Sequence, residues 1–283
     1  MTVAPDAFPA SRATRAGCAR FQRRVWPIRS ANVGRLRLVA AQGASVKLMH
    51  NAELTARFAT LTTAHLADGC LRAGVEVRCA PAGTHAVVAG WRLIGRVLPT
   101  RHVGSVDVFL EAIGLATPGD VLVVDNAGRL DESCVGDLVT LEAREAGLGG
   151  IVMWGLNRDS VDIARIGLPV FSLGSIPTGP LFAAERAPEA LSSASVGDWT
   201  VSNADIVAAD EDGVLFFAAD RADEIVANAE TIRDTERRQA ERIAAGDSLR
   251  GQVRFDAFLA ARALNPALTF REHLRAVGGE IEV

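Results

Sequence analysis

Two stretches decide the fold: Gly119-Asp120-Val121-Leu122-Val123-Val124-Asp125-Asn126, and Gly150-Ile151-Val152-Met153-Trp154-Gly155-Leu156-Asn157-Arg158-Asp159. Each opens with a four-residue apolar run, 121–124 and 151–154, and ends in turn residues. Such short runs, bounded by Gly and Asp or Asn, suit strands buried on both faces of a covered sheet. Between them Val135, Leu138, Val139 and 142–146 carry helical spacing, and Gly147 supplies a stop. The unit reads strand–loop–helix–strand, with its polar residues at strand C-termini and at a helix start, where α/β proteins commonly place their chemistry.

Working outward, residues 52–73 read as one helix, with Leu54, Phe58, Leu61, Leu66 and Leu71 on its apolar side and Gly74 as its stop. His65 and Asp68 share a face there and read as a helix-surface pair. Residues 86–98 read as one or two strands ending at Pro99, and 105–116 as a helix. After Asp159 a short helix closes at Gly167, and 168–173 form a strand. Residues 184–198 are weakly patterned. Strands are expected near 199 and at 214–217. Asp220 reads as the N-cap of a long helix from 221 to about 245. The last residues hold two amphipathic pieces, 253–263 and 268–277, separated by Asn265-Pro266.

The chain has 283 residues, enough to bury a full core, and a formal net charge of −4. The charge is uneven. Residues 1–48 hold eight Arg and Lys47 against the single acid Asp6, so the body is acidic and gives no electrostatic reason to expect nucleic acid as a partner. The basic segment reads as a leader outside the fold or as translated sequence upstream of a start at Met49, with an Arg-rich transit peptide and a nucleic-acid arm as the alternatives. No apolar run nears the ~20 residues that span a bilayer, and a cytoplasmic location is expected. Cys18, Cys70, Cys79 and Cys134 form no CxxC pair and read as reduced thiols.

Lys47 is the only lysine. Schiff-base catalysis, pyridoxal phosphate attachment and a P-loop all require one, so the body is left with hydrogen-bond donors or a metal for any carbonyl chemistry. The central unit offers such a set. Gly136-Asp137-Leu138-Val139 stands at a helix start, where free amides attract anions. Arg158 is built for bidentate carboxylate recognition. Asp159 is the single carboxylate that, with waters, suits Mg²⁺. Each has a plainer reading, as a helix-dipole partner, a surface charge and an N-cap respectively. Asp125 reads as a turn residue, and Arg129, Asp131 and Glu132 as loop surface.

Asp137, twenty residues, then Arg158-Asp159 spells D-x20-R-D. This resembles the signature of the RraA-like family, which includes class II 4-hydroxy-4-methyl-2-oxoglutarate and 4-carboxy-4-hydroxy-2-oxoadipate aldolases and regulators of ribonuclease activity. The Gly119–Asp125 strand, the Gly150–Asp159 turn, Leu168-Pro169-Val170-Phe171 and Asp210-Glu211-Asp212-Gly213-Val214 follow in the family's order. The resemblance covers about residues 52–245. It implies an α/β fold, a swivelling β/β/α sandwich, over 49–246, leaving 1–48 as the basic leader and 247–283 as a helical C-terminal extension. It also implies a homotrimer or homohexamer with sites at subunit boundaries.

On the same resemblance, Asp159 holds Mg²⁺ or Mn²⁺ largely through water, and Arg158 binds the pyruvyl group and steadies its enolate. Gly136, Asp137, Leu138 and Val139 face the substrate with their amides, and Asp137 assists proton transfer. A neighbouring subunit's tail carboxylate approaches the metal, for which Glu280 and Glu282 are the candidates here. The expected function is a metal-dependent lyase on a small keto acid, by retro-aldol cleavage, by oxaloacetate decarboxylation or by both. The alternative is a non-catalytic protein that binds and regulates an RNA-processing enzyme.

Overall fold

The computed structural model describes residues 48–278. Residues 1–47 of the leader, Lys47 among them, and Glu280 and Glu282 lie outside the described residues. In chain order the strands are β1 (Arg78–Cys79), β2 (His85–Ala86), β3 (Leu93–Arg101), β4 (Val121–Asp125), β5 (Ser133–Val135) and β6 (Gly150–Trp154), then β7 (Leu156–Asn157), β8 (Val170–Ser172), β9 (Ser193–Val196), β10 (Trp199–Ser202), β11 (Asp205–Asp210) and β12 (Gly213–Ala218). The helices are α1 (Asn51–Phe58), α2 (Thr63–Arg72), α3 (Asp107–Leu115), α4 (Asp137–Glu145), α5 (Ser160–Ile166), α6 (Ala222–Ala244), α7 (Leu249–Gln252), α8 (Phe255–Leu264) and α9 (Phe270–Val277).

Eight strands form one mixed sheet in the order β1-β12-β11-β3-β4-β6-β8-β2. Its centre is parallel, β3 with β4, β4 with β6 and β6 with β8, and the crossovers carry α3, α4 and α5. Its other half is antiparallel, built from β11, β12 and β1 against β3. The fold is mixed α/β, as expected.

The apolar run 121–124 is explained by what lies on each face of β4. Leu122 and Val124 point into a core with Phe109, Ala143, Ile151 and Ile163, under the α3–α5 layer. Val121 and Val123 point the other way, into a core with Val196, Val201, Val207 and Phe216 inside the curled sheet. A third core fills the outer face of the antiparallel half, where Leu54, Leu66 and Ile225 from α1, α2 and α6 meet Ile94, Ile206 and Phe217. A strand with partners on both faces has no room for alternation, and all four residues from Val121 to Val124 are fully buried.

Several local expectations change. The helix expected over 52–73 is broken at 59–62, because Thr62 starts a second helix with a capping box. Its hydroxyl accepts from the His65 amide, and His65 Nδ1 accepts from the Thr62 amide at 3.0 Å. His65 thus caps α2 and reaches Glu236 of α6 at 3.0 Å, rather than pairing with Asp68. The strand expected to end at Pro99 runs on to Arg101. Pro99 lies beyond the last β11 partner, Arg96, so its missing N–H breaks no bond to that strand. Asp220 lies in a 3₁₀ turn, and α6 begins after Arg221 with no side-chain cap. Arg57 instead ties α1 to the start of α6, contacting Asp223 at 2.8 Å and Glu230 at 2.7 Å.

Beyond α6, helices α7–α9 enclose a small aromatic cluster. Phe258 lies 5.0 Å from Phe270 and 5.4 Å from His273, and His273 Nε2 donates to the Val253 carbonyl at 2.8 Å.

Helices α2 and α6 pack closely at Gly69. A β-carbon at Gly69 would stand 2.5 Å from the carbonyl oxygen of Ile225 and 3.2 Å from the amide of Ala229. Both obstacles are backbone, so neither rotates away. Gly69→Ala is therefore expected to lower stability by about 1–3 kcal/mol, the usual range for overpacking, despite alanine's better helix propensity. Urea denaturation checks this, and an unchanged or raised midpoint would contradict the packing described.

Candidate active site

At the C-terminal edge of the parallel strands, β5 and β7 pair as a small parallel ladder, with Ser133 opposite Leu156 and Val135 opposite Asn157. The Arg158 amide extends it by donating to the Val135 carbonyl at 3.0 Å. The residues that follow the two strands, Gly136-Asp137 and Arg158-Asp159, are thereby set side by side. The segment after β8 adds a third layer: Asn157 donates to Gly174, Ile176 donates to Asn157, and Ser133 donates to Thr178.

Gly136 is the N-cap of α4 and has an extended backbone that any residue could adopt. Its need for glycine is space. A β-carbon there would lie 2.5 Å from Asp159 Oδ2 and 3.2 Å from Arg158 Nε. Asp159 precedes α5 with a left-handed backbone, φ 58° and ψ 35°, and its side chain makes no cap bond to that helix. Its carboxylate turns instead to Arg158 Nε at 3.3 Å and to the Asp137 amide at 3.5 Å. The reading of Asp159 as a plain N-cap therefore fails at the side chain. Asp137 accepts from the Leu138 amide at 2.8 Å through one oxygen. The Arg158 and Asp159 side chains are 46% and 36% exposed, so their ion pair adds little stability and serves to orient them.

These residues border a cavity of about 430 Å³ whose lining includes His102, Ser133, Gly136, Asp137, Arg158 and Pro180. Gly136, Asp137, Leu138, Val139 and Arg158 all line it. Asp159 stands behind Gly136, in contact with Arg158. Leu138 is 75% exposed, whereas Val139 faces the core.

The sequence reading missed two residues. His102 follows β3 and is 6% exposed. Its ring stacks on Phe109 at 5.0 Å, and its Nδ1 donates to Asn126 Oδ1 at 2.8 Å. A lone histidine after a strand belongs to no motif, so only its position at a strand's C-terminal end could have flagged it. Glu132 is 2% exposed rather than loop surface. It accepts from the Leu181 amide at 2.7 Å and pairs with Arg129 at 3.3 Å, fastening the segment that carries Pro180. Asp125 is the expected turn residue, accepting from Ala127, and it also holds β9 through Ser195.

Among the described residues no three His, Cys, Asp or Glu side chains converge as a ready cation cage. Asp159 offers one partly exposed hard oxygen donor, with Asp137 near it. That donor set suits an Mg²⁺ or Mn²⁺ ion that keeps most of its water, and it does not suit a closed zinc site.

Burial holds the His102 imidazole below its ordinary range, against the raising effects of Asn126, Glu132 and Asp107. The folded protein therefore resists a proton that the unfolded chain accepts near pH 6.5. Stability is expected to begin falling as pH drops through 6.5, before carboxylates such as Glu230, held low by Arg57, titrate. Urea midpoints between pH 7.5 and 5 should decline in the parent and flatten in His102→Gln. Parallel curves for the two proteins would remove His102 as the cause.

Comparison with known proteins shows the family. Residues 63–216 match the RraA-like family model, described as Aldolase/RraA. Protein DlpA of Legionella pneumophila is 35% identical over 129 residues, covering 46% of this chain and 21% of that protein. A Halorhodospira halophila protein named "Putative 4-hydroxy-4-methyl-2-oxoglutarate aldolase" is 35% identical over 104 residues, covering 36% of this chain and 62% of its own length. The chain thus spans less than two thirds of either relative. In fold it is similar to Streptomyces coelicolor RraAS2, titled an unusual member of the RNase ES inhibitor RraA protein family, with a TM-score of 0.59 and 24% identity, covering 69% of this chain and all of that one. The matched residues run from the start of α2 into β12 and include both halves of the Asp137/Arg158-Asp159 pair, and on that match the chain belongs to the RraA-like family.

Proposed function

We propose that this chain is a divalent-metal-dependent lyase that cleaves a carbon–carbon bond in a pyruvyl substrate, releasing pyruvate. The observation that carries the reading is the juxtaposition made by β5 and β7: the Arg158 guanidinium, the N-terminus of α4 and the Asp137 carboxylate line one cavity, and the Asp159 carboxylate stands beside them against Arg158. Arg158 binds the keto-acid end and shares the charge that develops on the enolate oxygen. In the first turn of α4 the Asp137 and Leu138 amides already donate to Asp159 and Asp137, so the substrate carboxylate is taken by the Val139 amide together with Arg158. Asp159 holds the cation, and when bound the cation supplies Lewis acidity toward the keto oxygen. Asp137 has one oxygen bonded to its own helix and orders water with the other for proton transfer to the enolate carbon.

Retro-aldol cleavage of a 4-hydroxy-2-oxo acid and decarboxylation of oxaloacetate pass through the same enolate, so one site serves both. In this reading the working form is a homotrimer or homohexamer, and a neighbour's tail adds a carboxylate to the site.

Pyruvate release from oxaloacetate and from 4-hydroxy-4-methyl-2-oxoglutarate, measured with Mg²⁺, with Mn²⁺ and with chelator, tests the proposal. Turnover should require the metal. Arg158→Ala should lower kcat by about 10²–10³-fold, the usual cost of one oxyanion donor. Asp159→Ala should weaken the response to metal, and Gly136→Ala should mimic it by displacing the same carboxylate. A folded, metal-supplied protein inert toward both substrates would sink the lyase reading and favour a protein-binding regulator.

A further inference from the structure

The cavity holds a titratable group, His102, that the lyase reading leaves idle. His102 sits where β3 ends and Asn126 where the neighbouring β4 ends, and the His102 amide donates to the Asp125 carbonyl at 2.9 Å. The imidazole is fixed on three sides. Phe109 of α3 lies flat against it, with an interplanar angle of 9°, the backbone of β4 holds its base, and Asn126 Oδ1 takes the Nδ1 proton. The tautomer follows from the assignment of Asn126: with Oδ1 as the acceptor, and Asn126 Nδ2 left without a partner, the proton sits on Nδ1 and Nε2 carries the lone pair. Nε2 has no hydrogen-bond partner among the described residues, yet it is not among the fully enclosed orphan atoms, and His102 lines the same cavity as Asp137 and Arg158. An oriented, neutral imidazole with one bare nitrogen facing a cavity is a proton acceptor with nothing to accept from in the protein.

The lyase reading supplies the missing proton. Retro-aldol cleavage requires a base for the C4 hydroxyl, and in the lyase reading the free oxygen of Asp137 is already given to the water that protonates the enolate carbon. Resting on that reading, we propose that His102 is the catalytic base of the retro-aldol step, taking the C4 hydroxyl proton on Nε2. As the O–H bond breaks, the C4–O bond becomes a carbonyl. The C3–C4 bond breaks, and its electrons form the C2–C3 enolate, whose oxygen faces Arg158. The enolate carbon then takes a proton from water ordered by Asp137, and the proton on His102 returns to that water's hydroxide. The products are pyruvate and an oxo compound, with atoms and charge balanced.

The charged groups around His102 are Glu132 on the loop before β5, Asp107 on α3 and Arg129 beside Glu132. Burial outweighs their combined effect and keeps the ring neutral at neutral pH, the form in which Nε2 accepts. Oxaloacetate decarboxylation has no hydroxyl proton to remove. The two reactions of one site should therefore part company when His102 is changed, which a merely structural role would not produce.

The test compares the parent with His102→Gln and His102→Phe, the second keeping the stack on Phe109, on both substrates across pH 5–8. We expect each variant to lose about 10²–10⁴-fold in aldol cleavage, the range for general base catalysis, with less than threefold loss in decarboxylation. The acid limb of the parent's kcat/KM profile for aldol cleavage, placed below pH 6.5, should vanish in the variants. Equal losses in both reactions, or an unmoved acid limb, would overturn the proposal. An independent reading comes from ¹⁵N imidazole spectra of the full chain titrated with oxalate, a planar mimic of the pyruvate enolate, in the presence of Mg²⁺. His102, identified by its loss in His102→Gln, should show the Nδ1–H tautomer and a shift at Nε2 on binding. If neither substrate turns over, the lyase reading has failed. A bare Nε2 that responds to oxalate would then still place His102 in a ligand site, and a silent or Nε2-protonated ring would overturn that as well.

Discussion

The pairing of β5 with β7 is the constraint on which the site depends. Neither strand is long enough to be stable alone, and each is held from both directions. Main-sheet strand β6 leads directly into β7, while the 174–178 segment bonds to Asn157 and Ser133 from the other side. The spacing of the sequence motif follows from this geometry. Two parallel strands cannot be joined by a tight turn; the chain must travel back along the sheet before it can run in the same direction again. Here that path is α4, the Gly147–Gly149 turn and β6. Twenty residues between Asp137 and Arg158 are the length of one such excursion, so the spacing measures a crossover.

Beneath the ladder the curled sheet supplies a base with little freedom. β4 has fully buried residues on both faces, and β3 and β6 flank it in parallel register. His102, Asn126 and the β5–β7 ladder all project from the C-terminal ends of these three strands. Their spacing is set by close-packed cores rather than by loop conformation. The candidate site is thus carried on closely packed strands.

Much of this was legible because buried parallel strands leave continuous apolar runs, as at 121–124 and 151–154, and because Gly167 marks the end of α5. The D-x20-R-D spacing picked out Asp137, Arg158 and Asp159, which the structure sets side by side. Legibility failed where the signal was short or lay far away in the chain. β5 has three residues and no periodicity to read. The break between α1 and α2 is a local capping event at Thr62 that the apolar spacing of the two helices conceals. Glu132 looks like loop surface until its long-range partner, the Leu181 amide, is in place. His102 gains its meaning only from Asn126 and Phe109, which adjacent elements bring to it.

The left-handed backbone at Asp159 has a consequence for how this site could change over time. An L-residue there carries a conformational cost of order 1–3 kcal/mol, one that aspartate and asparagine bear better than most and glycine scarcely feels. At most surface positions, drift toward the more stable residue and preservation of a working side chain are independent. If Asp159 holds the cation as proposed, they oppose each other at position 159. The replacement that would relax the backbone most, glycine, also deletes the carboxylate. An aspartate held in this conformation marks a position at which the fold alone would have favoured another residue.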